Sequence, residues 1–211
     1  MSGWTAVIPV KPWRLGKSRL HSSRRITLAR AFALDTLEAT AATPSVGRVV
    51  VVSSEAGLIL PARSLGAAIV ADHPLKGAGG LAAAVDLGRR WAVSRFPGEP
   101  IVVVPADLPC LTPEVLDGVL AEAAEPATSF VPDAQGDGTT LLAARIPRVL
   151  PIAYGPGSAD LHRAAGAHPL FDVDPRARRD VDTVLDLQAA AQLGTGRHTR
   201  RATAPRLRAT G

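Results

Sequence analysis

The stretch Val10-Lys11-Pro12-Trp13-Arg14-Leu15-Gly16-Lys17-Ser18-Arg19-Leu20 places four cations, Lys11, Arg14, Lys17 and Arg19, in one short segment. Positive charges this close repel one another unless an anion joins them. A nucleotide polyphosphate suits such a loop, with lysine as a point charge and arginine as a forked donor. Gly16 stands alone, so the segment is neither a Walker loop nor a Gly-x-Gly-x-x-Gly turn. A solvated basic turn is the plainer alternative. The second group is acidic. Asp107 directly follows the apolar run Ile101–Pro105 and precedes Leu108-Pro109. There it is either a hard oxygen ligand of the kind Mg²⁺ prefers or an ordinary turn residue. Asp172, Asp174, Asp180 and Asp182 form a later set. In an extended Asp180-Val181-Asp182 both acids point to one side, which makes Asp180 the metal candidate. Asp182 serves equally well as a structural cap before the last helix, where Thr183 with Asp186 also fits a capping box.

Two glycine-rich loops complete the constellation. Gly136-Asp137-Gly138-Thr139-Thr140 opens one strand, and its glycines permit close backbone approach to a ligand. Tyr154-Gly155-Pro156-Gly157-Ser158-Ala159-Asp160 opens a helix with Ser158 expected at the N-cap, which offers an anion site or a simple cap. Covalent catalysis has no support. His21, His73, His162, His168 and His198 lie in unrelated segments, and Cys110 reads as a buried packing residue.

Residues this far apart in sequence need a scaffold that brings strand ends together. Ala6–Val10, Arg48–Ser53, Ile101–Pro105 and Ser129–Val131 are short, β-branched and without a polar face, as strands buried on both sides are. Helical spacing links Ile26, Ala29, Ala33 and Leu37, and again Leu81, Val85, Gly88 and Ala92. Thr112-Pro113-Glu114 starts a further helix. Thr140–Ile146 and Leu170–Val173 add strands, and Thr183–Leu193 a closing helix. The alternation predicts an α/β fold with helices on both faces of the sheet, whose ligand lies beyond the carboxyl ends of the strands.

The chain has 211 residues, 46% hydrophobic and 20% charged, which suits one globular domain and excludes disorder or a collagen-like chain. A single cysteine excludes an internal disulfide, and no apolar run is long enough to span a bilayer. No signal peptide is evident, so a cytoplasmic protein is expected. The net charge of +5 comes from five arginines between Gly194 and Gly211, a stretch without acids. We therefore expect a body over 1–193 and a basic, flexible tail over 194–211. No aromatic residue accompanies those arginines, which argues against nucleic acid.

Ile8-Pro9-Val10-Lys11 with Gly16-Lys17-Ser18-Arg19-Leu20 resembles the opening of the 2-phospho-L-lactate guanylyltransferase family, whose bacterial members act as phosphoenolpyruvate guanylyltransferases in coenzyme F-420 biosynthesis. Ala106-Asp107-Leu108-Pro109, Gly136-Asp137-Gly138-Thr139, Gly155-Pro156-Gly157-Ser158 and Asp180-Val181-Asp182-Thr183 agree in order, so the resemblance spans about residues 4 to 193. It departs at Leu81-Ala82, where relatives often carry Leu-Asn. The resemblance implies a single-domain Rossmann-like nucleotidyltransferase with a mixed, mostly parallel sheet. It implies GTP as donor, Mg²⁺ as cofactor and phosphoenolpyruvate as acceptor, with 2-phospho-L-lactate as the alternative, and it leaves a homodimer open. By position Asp107 and Asp180 match metal ligands, and Thr139, Gly155 and Ser158 match residues around the acceptor. Lys11, Lys17 and Arg19 fall in the loop expected over the triphosphate, Lys17 as a catalytic group. Transferases acting on molybdopterin or sugar phosphates are the nearest rivals, but they open with Leu-x-Gly-Gly or Gly-x-Gly-Thr-Arg. A nucleotide-binding scaffold is the non-enzymatic rival, and it would not require carboxylates at two strand ends.

Overall fold

A computed structural model of the chain describes residues 3–14, 20, 24–72 and 80–204. The strands in chain order are β1 (Trp4–Pro9), β2 (Val46–Val52), β3 (Ala68–Val70), β4 (Ile101–Val103), β5 (Thr128–Pro132), β6 (Thr139–Ala144) and β7 (His168–Pro169). The helices are α1 (Arg25–Ala42), α2 (Ala56–Ser64), α3 (Leu81–Arg95), α4 (Pro113–Ala123), α5 (Ser158–Ala164), α6 (Val184–Leu193) and α7 (Arg197–Thr203). One sheet holds all seven strands in the order β3-β2-β1-β4-β6-β5-β7. Only β6 is reversed, antiparallel to both β4 and β5.

Why β1 and β2 are apolar on both sides is plain from their neighbours. Ala6, Ile8, Val49 and Val51 face a cluster completed by Leu37 of α1, Leu58 of α2 and Leu116 of α4. Val7, Val50 and Val52 face the opposite layer, with Val85 and Ala92 of α3 and Ala159 of α5. Alternation along each strand thus feeds two cores. The pattern chosen for α3 holds, since Val85, Gly88 and Ala92 are its buried face. For α1 the pattern was too narrow. Ile26 is exposed, while Leu28 and Phe32 are buried on the far side against Val181 and Ala190. That helix is covered on two faces, so a single stripe underestimates it. The short β3 and the proline-containing α2 escaped the sequence pattern, and the last strand ends at Pro169 rather than continuing through Leu170–Val173.

The largest difference concerns the tail. Its described part is not loose: Arg197–Thr203 forms α7, packed against α1. Buried Asp35 accepts hydrogen bonds from the backbone N–H groups of His198 (2.9 Å) and Thr199 (2.8 Å). A carboxylate at a helix N-terminus satisfies donors that the helix itself leaves unpaired. Glu38 adds an ion pair to Arg197 (2.5 Å) and stands 2.9 Å from His198 Nε2. Arginine, threonine and glycine look like a tail only because their partners lie on another helix. A boundary at residue 193 therefore cuts through packed structure.

Gly88 lets α3 lie against the sheet. A Cβ there would stand 2.5 Å from a methyl group of Val7 and 2.8 Å from one of Val52. Both valines are fully buried with restricted χ1. Gly88→Ala should destabilise the fold by about 1–3 kcal/mol despite alanine's better helix propensity, as a lowered denaturation midpoint.

Candidate active site

The carboxyl ends of β1, β4 and β5 and the amino end of reversed β6 open onto one cleft of about 680 Å³. Its floor is the segment leaving β4. Leu108 is fully buried, and its backbone N–H donates to Thr36 Oγ1 of α1 at 3.2 Å. The Pro109 carbonyl accepts from the Gly196 N–H at 2.8 Å. These ties hold the segment from behind and leave Asp107 bordering the cleft.

The second acidic segment is bound to the first. The Val181 N–H donates to the Asp107 carbonyl at 3.1 Å, and the Val181 side chain is fully buried beside Leu28 and Phe32. Because Val181 points inward, its two neighbours point the other way. Carboxylate oxygens of Asp107, Asp180 and Asp182 consequently lie within 4.8 Å of one another. The structure brings Asp107 and Asp180 together as the pattern required and adds Asp182. The capping alternative for Asp182 fails because Thr183 does that work. Its Oγ1 accepts from the Asp186 N–H at 3.2 Å, while Asp186 Oδ2 accepts from the Thr183 N–H at 2.8 Å. Three carboxylates this close repel one another, and hard oxygen donors in such number fit a divalent cation.

The opposite wall comes from the β5–β6 turn and the start of α5. Asp133 accepts from the backbone N–H groups of Gly136 (2.6 Å), Asp137 (3.1 Å) and Gly138 (2.9 Å), folding the turn around one carboxylate. Any Cβ at Gly138 would collide with that carboxylate. The Asp137 carbonyl then accepts from the Ala159 N–H at 3.0 Å, which docks the start of α5. Thr139, Gly155 and Ser158 all border the cleft. Ser158 is not the N-cap. Gly157 holds that position with φ of 68°, a left-handed conformation suited to glycine, and Ser158 is the buried first residue of the helix.

Sequence reasoning passed over two residues here. Tyr154 borders the cleft, and its hydroxyl is buried without a hydrogen-bond partner among the described residues. Burial pushes its phenol well above the usual range, and the Asp107 carboxylate adds to the shift. His162, one of five histidines set aside as scattered, packs edge-on against Tyr154 and lies 2.8 Å through Nδ1 from Thr139 Oγ1. The two residues stand 23 apart in sequence with no motif linking them, so only the folded geometry reveals the pair. Lys11 borders the cleft and is exposed. Lys17 and Arg19 lie outside the described residues.

Burial of His162 moves its pKa from 6.5 down to about 4. The folded protein therefore holds the ring neutral, while the unfolded chain binds a proton more readily. This contribution to stability is complete above pH 6.5 and is lost as pH falls toward 4. Denaturant midpoints measured across that window should fall with acidity, and less steeply in a His162→Gln variant. A slope unchanged by the substitution would remove His162 as the source.

A family model described as guanylyl transferase CofC like matches residues 4–200. The phosphoenolpyruvate guanylyltransferase of Streptomyces coelicolor is 42% identical over 201 residues, covering 93% of each chain. That of Thermomonospora curvata is 41% identical over 200 residues, covering 93% of this chain and 86% of its own. Among solved structures, 4-diphosphocytidyl-2C-methyl-D-erythritol synthase superposes with a TM-score of 0.64 at 16% identity, covering 92% of this chain and 98% of that one. A nucleotidyl transferase from Methanothermobacter gives 0.62 at 17% identity with the same coverage, 92% and 98%. At such identities the structures speak for the fold alone.

Proposed function

This chain belongs to the guanylyl transferase CofC-like family, and from that premise we propose that it transfers GMP from GTP to phosphoenolpyruvate in coenzyme F-420 biosynthesis. It is an enzyme, a nucleotidyltransferase. The observation that supports the reading best is the cleft itself: three clustered carboxylates on one side, and Thr139, Gly155 and Ser158 on the other. An acceptor phosphate oxygen attacks the α-phosphorus of GTP, the bond to the β-phosphate oxygen breaks, and pyrophosphate leaves. The acceptor phosphate is already ionised at neutral pH, so the step requires no strong general base. Its obstacle is anion meeting anion. Asp107, Asp180 and Asp182 would hold Mg²⁺, which when bound supplies positive charge to the phosphates.

This chain's own residues do the rest. Lys11, with Lys17 and Arg19 of the same segment, serves the triphosphate by charge and by forked hydrogen bonds. Thr139 and Ser158 offer short hydroxyl donors to the acceptor, and Gly155, which borders the cleft with open space where a Cβ would stand, leaves its backbone approachable. Holding both reactants in one geometry removes the entropy of bringing them together. No helix of the described residues is long and apolar enough to cross a membrane.

Mass spectrometry of the product decides the reading. GTP with phosphoenolpyruvate should yield enolpyruvyl-diphospho-guanosine and pyrophosphate. If 2-phospho-L-lactate reacts far faster, the acceptor changes and the reaction class stands. If neither acid accepts GMP, the reading falls.

A further inference from the structure

His162 lies out of solvent between Phe130 and Tyr154, with ring centroids 5.7 Å and 5.5 Å away. Both of its ring nitrogens have partners. The Ala153 backbone N–H donates to Nε2 at 3.2 Å, and Nδ1 stands 2.8 Å from Thr139 Oγ1. An amide N–H can only donate, so Nε2 must present its lone pair, and in a neutral imidazole the proton then sits on Nδ1. The Pro151 carbonyl also accepts from the ring and so favours a more protonated form, less strongly than burial opposes it. A proton on Nε2, however, would confront the Ala153 N–H directly. Nδ1–H therefore donates to Thr139 Oγ1 and occupies one of that oxygen's lone pairs. The hydroxyl's own proton is left for a different acceptor, and Thr139 borders the cleft.

We infer that His162 is a positioning residue that fixes the Thr139 hydroxyl as a one-way donor toward the acid group of the acceptor substrate. A hydroxyl free to rotate presents a donor for part of the time and a lone pair for the rest. With Nδ1–H on one lone pair, the hydroxyl proton cannot point at the ring and is turned to another acceptor, which matches a carboxylate or phosphate because those groups only accept. The inference rests on the proposed acceptor reading for Thr139, but its structural half does not.

That half is tested without substrate. A long-range ¹H–¹⁵N correlation spectrum of histidine-labelled protein at pH 7 should show His162 as the neutral Nδ1–H form, and an Nε2–H form overturns the inference whatever the kinetics show. For the functional half, His162→Phe should raise the KM for the acceptor by about tenfold and leave that for GTP within about twofold. Thr139→Val should raise the acceptor KM similarly, and adding His162→Phe to Thr139→Val should raise it no further. His162→Gln, whose amide can donate in place of Nδ1–H, should recover part of the loss. Equal rises in both KM values, or a full tenfold rise that persists beside Thr139→Val, assign His162 to packing alone and overturn the inference. If His162→Phe fails to fold, the Gln variant and the spectrum still decide. If no acid accepts GMP at all, the reaction reading fails, and the spectrum separately reports whether the ring holds Thr139 as described.

Discussion

Asp107→Asn is expected to lower pyrophosphate release from GTP by about 10³-fold or more, roughly 4 kcal/mol of transition-state stabilisation. The amide keeps the size of the side chain and removes the charge that would hold Mg²⁺ beside the phosphates. The backbone ties of the segment do not involve the replaced side chain. The Asp107 carbonyl still accepts from Val181, Leu108 still donates to Thr36, and Pro109 still accepts from Gly196. The thermal midpoint should stay close to the parent's, because those backbone ties are kept. A rate loss with a constant midpoint is the signature expected of a metal ligand. Parental turnover in a folded Asp107→Asn protein would exclude this carboxylate from the reaction.

The companion result concerns Asp182→Asn, measured beside Asp180→Asn. Both should lose activity, Asp180→Asn by about as much as Asp107→Asn and the more exposed Asp182→Asn by about 100-fold, with neither losing stability. A capping role would give the opposite pattern for Asp182: turnover kept and about 1 kcal/mol of stability lost. The loss belongs elsewhere, at Thr183→Ala, because Thr183 and Asp186 form the capping box of α6. Pairing the two substitutions in one denaturation and activity series separates the roles. Losses in the Asp107, Asp180 and Asp182 variants should also fail to add, since the groups act on one ion.

Much of this was legible in the sequence for physical reasons. Buried parallel strands announce themselves by β-branched runs without a polar face, and β1, β2 and β4 did so. The extended Asp180-Val181-Asp182 carried its own geometry, because a fully buried Val181 forces both acids outward. What the sequence left open was competition for a role: Asp182 and Thr183 are both good caps, and only the bonds of Thr183 with Asp186 show which residue takes it. Pairings across long separations were invisible. Thr139 and His162 sit on different elements, and neither has a motif that names the other. Asp35 has no sequence pattern that marks it, yet it is buried and holds α7. Ser158 was misplaced by one position because a left-handed Gly157 can cap without a side chain.

The neighbouring pair Asp35 and Thr36 has a consequence for the order in which the protein is made. Thr36 braces the segment carrying Asp107, while Asp35 waits for backbone donors 163 and 164 residues later in the chain. Synthesis runs from the amino end, so α1 leaves the ribosome long before its partner exists. Until residues 196–199 emerge, a buried carboxylate lacks the donors that offset its desolvation, and the Pro109 carbonyl lacks Gly196. Residues 196–199 thus complete the backing of a site whose acids were all translated earlier. A chain cut short before residue 196 would carry every acidic ligand and lack the support behind them.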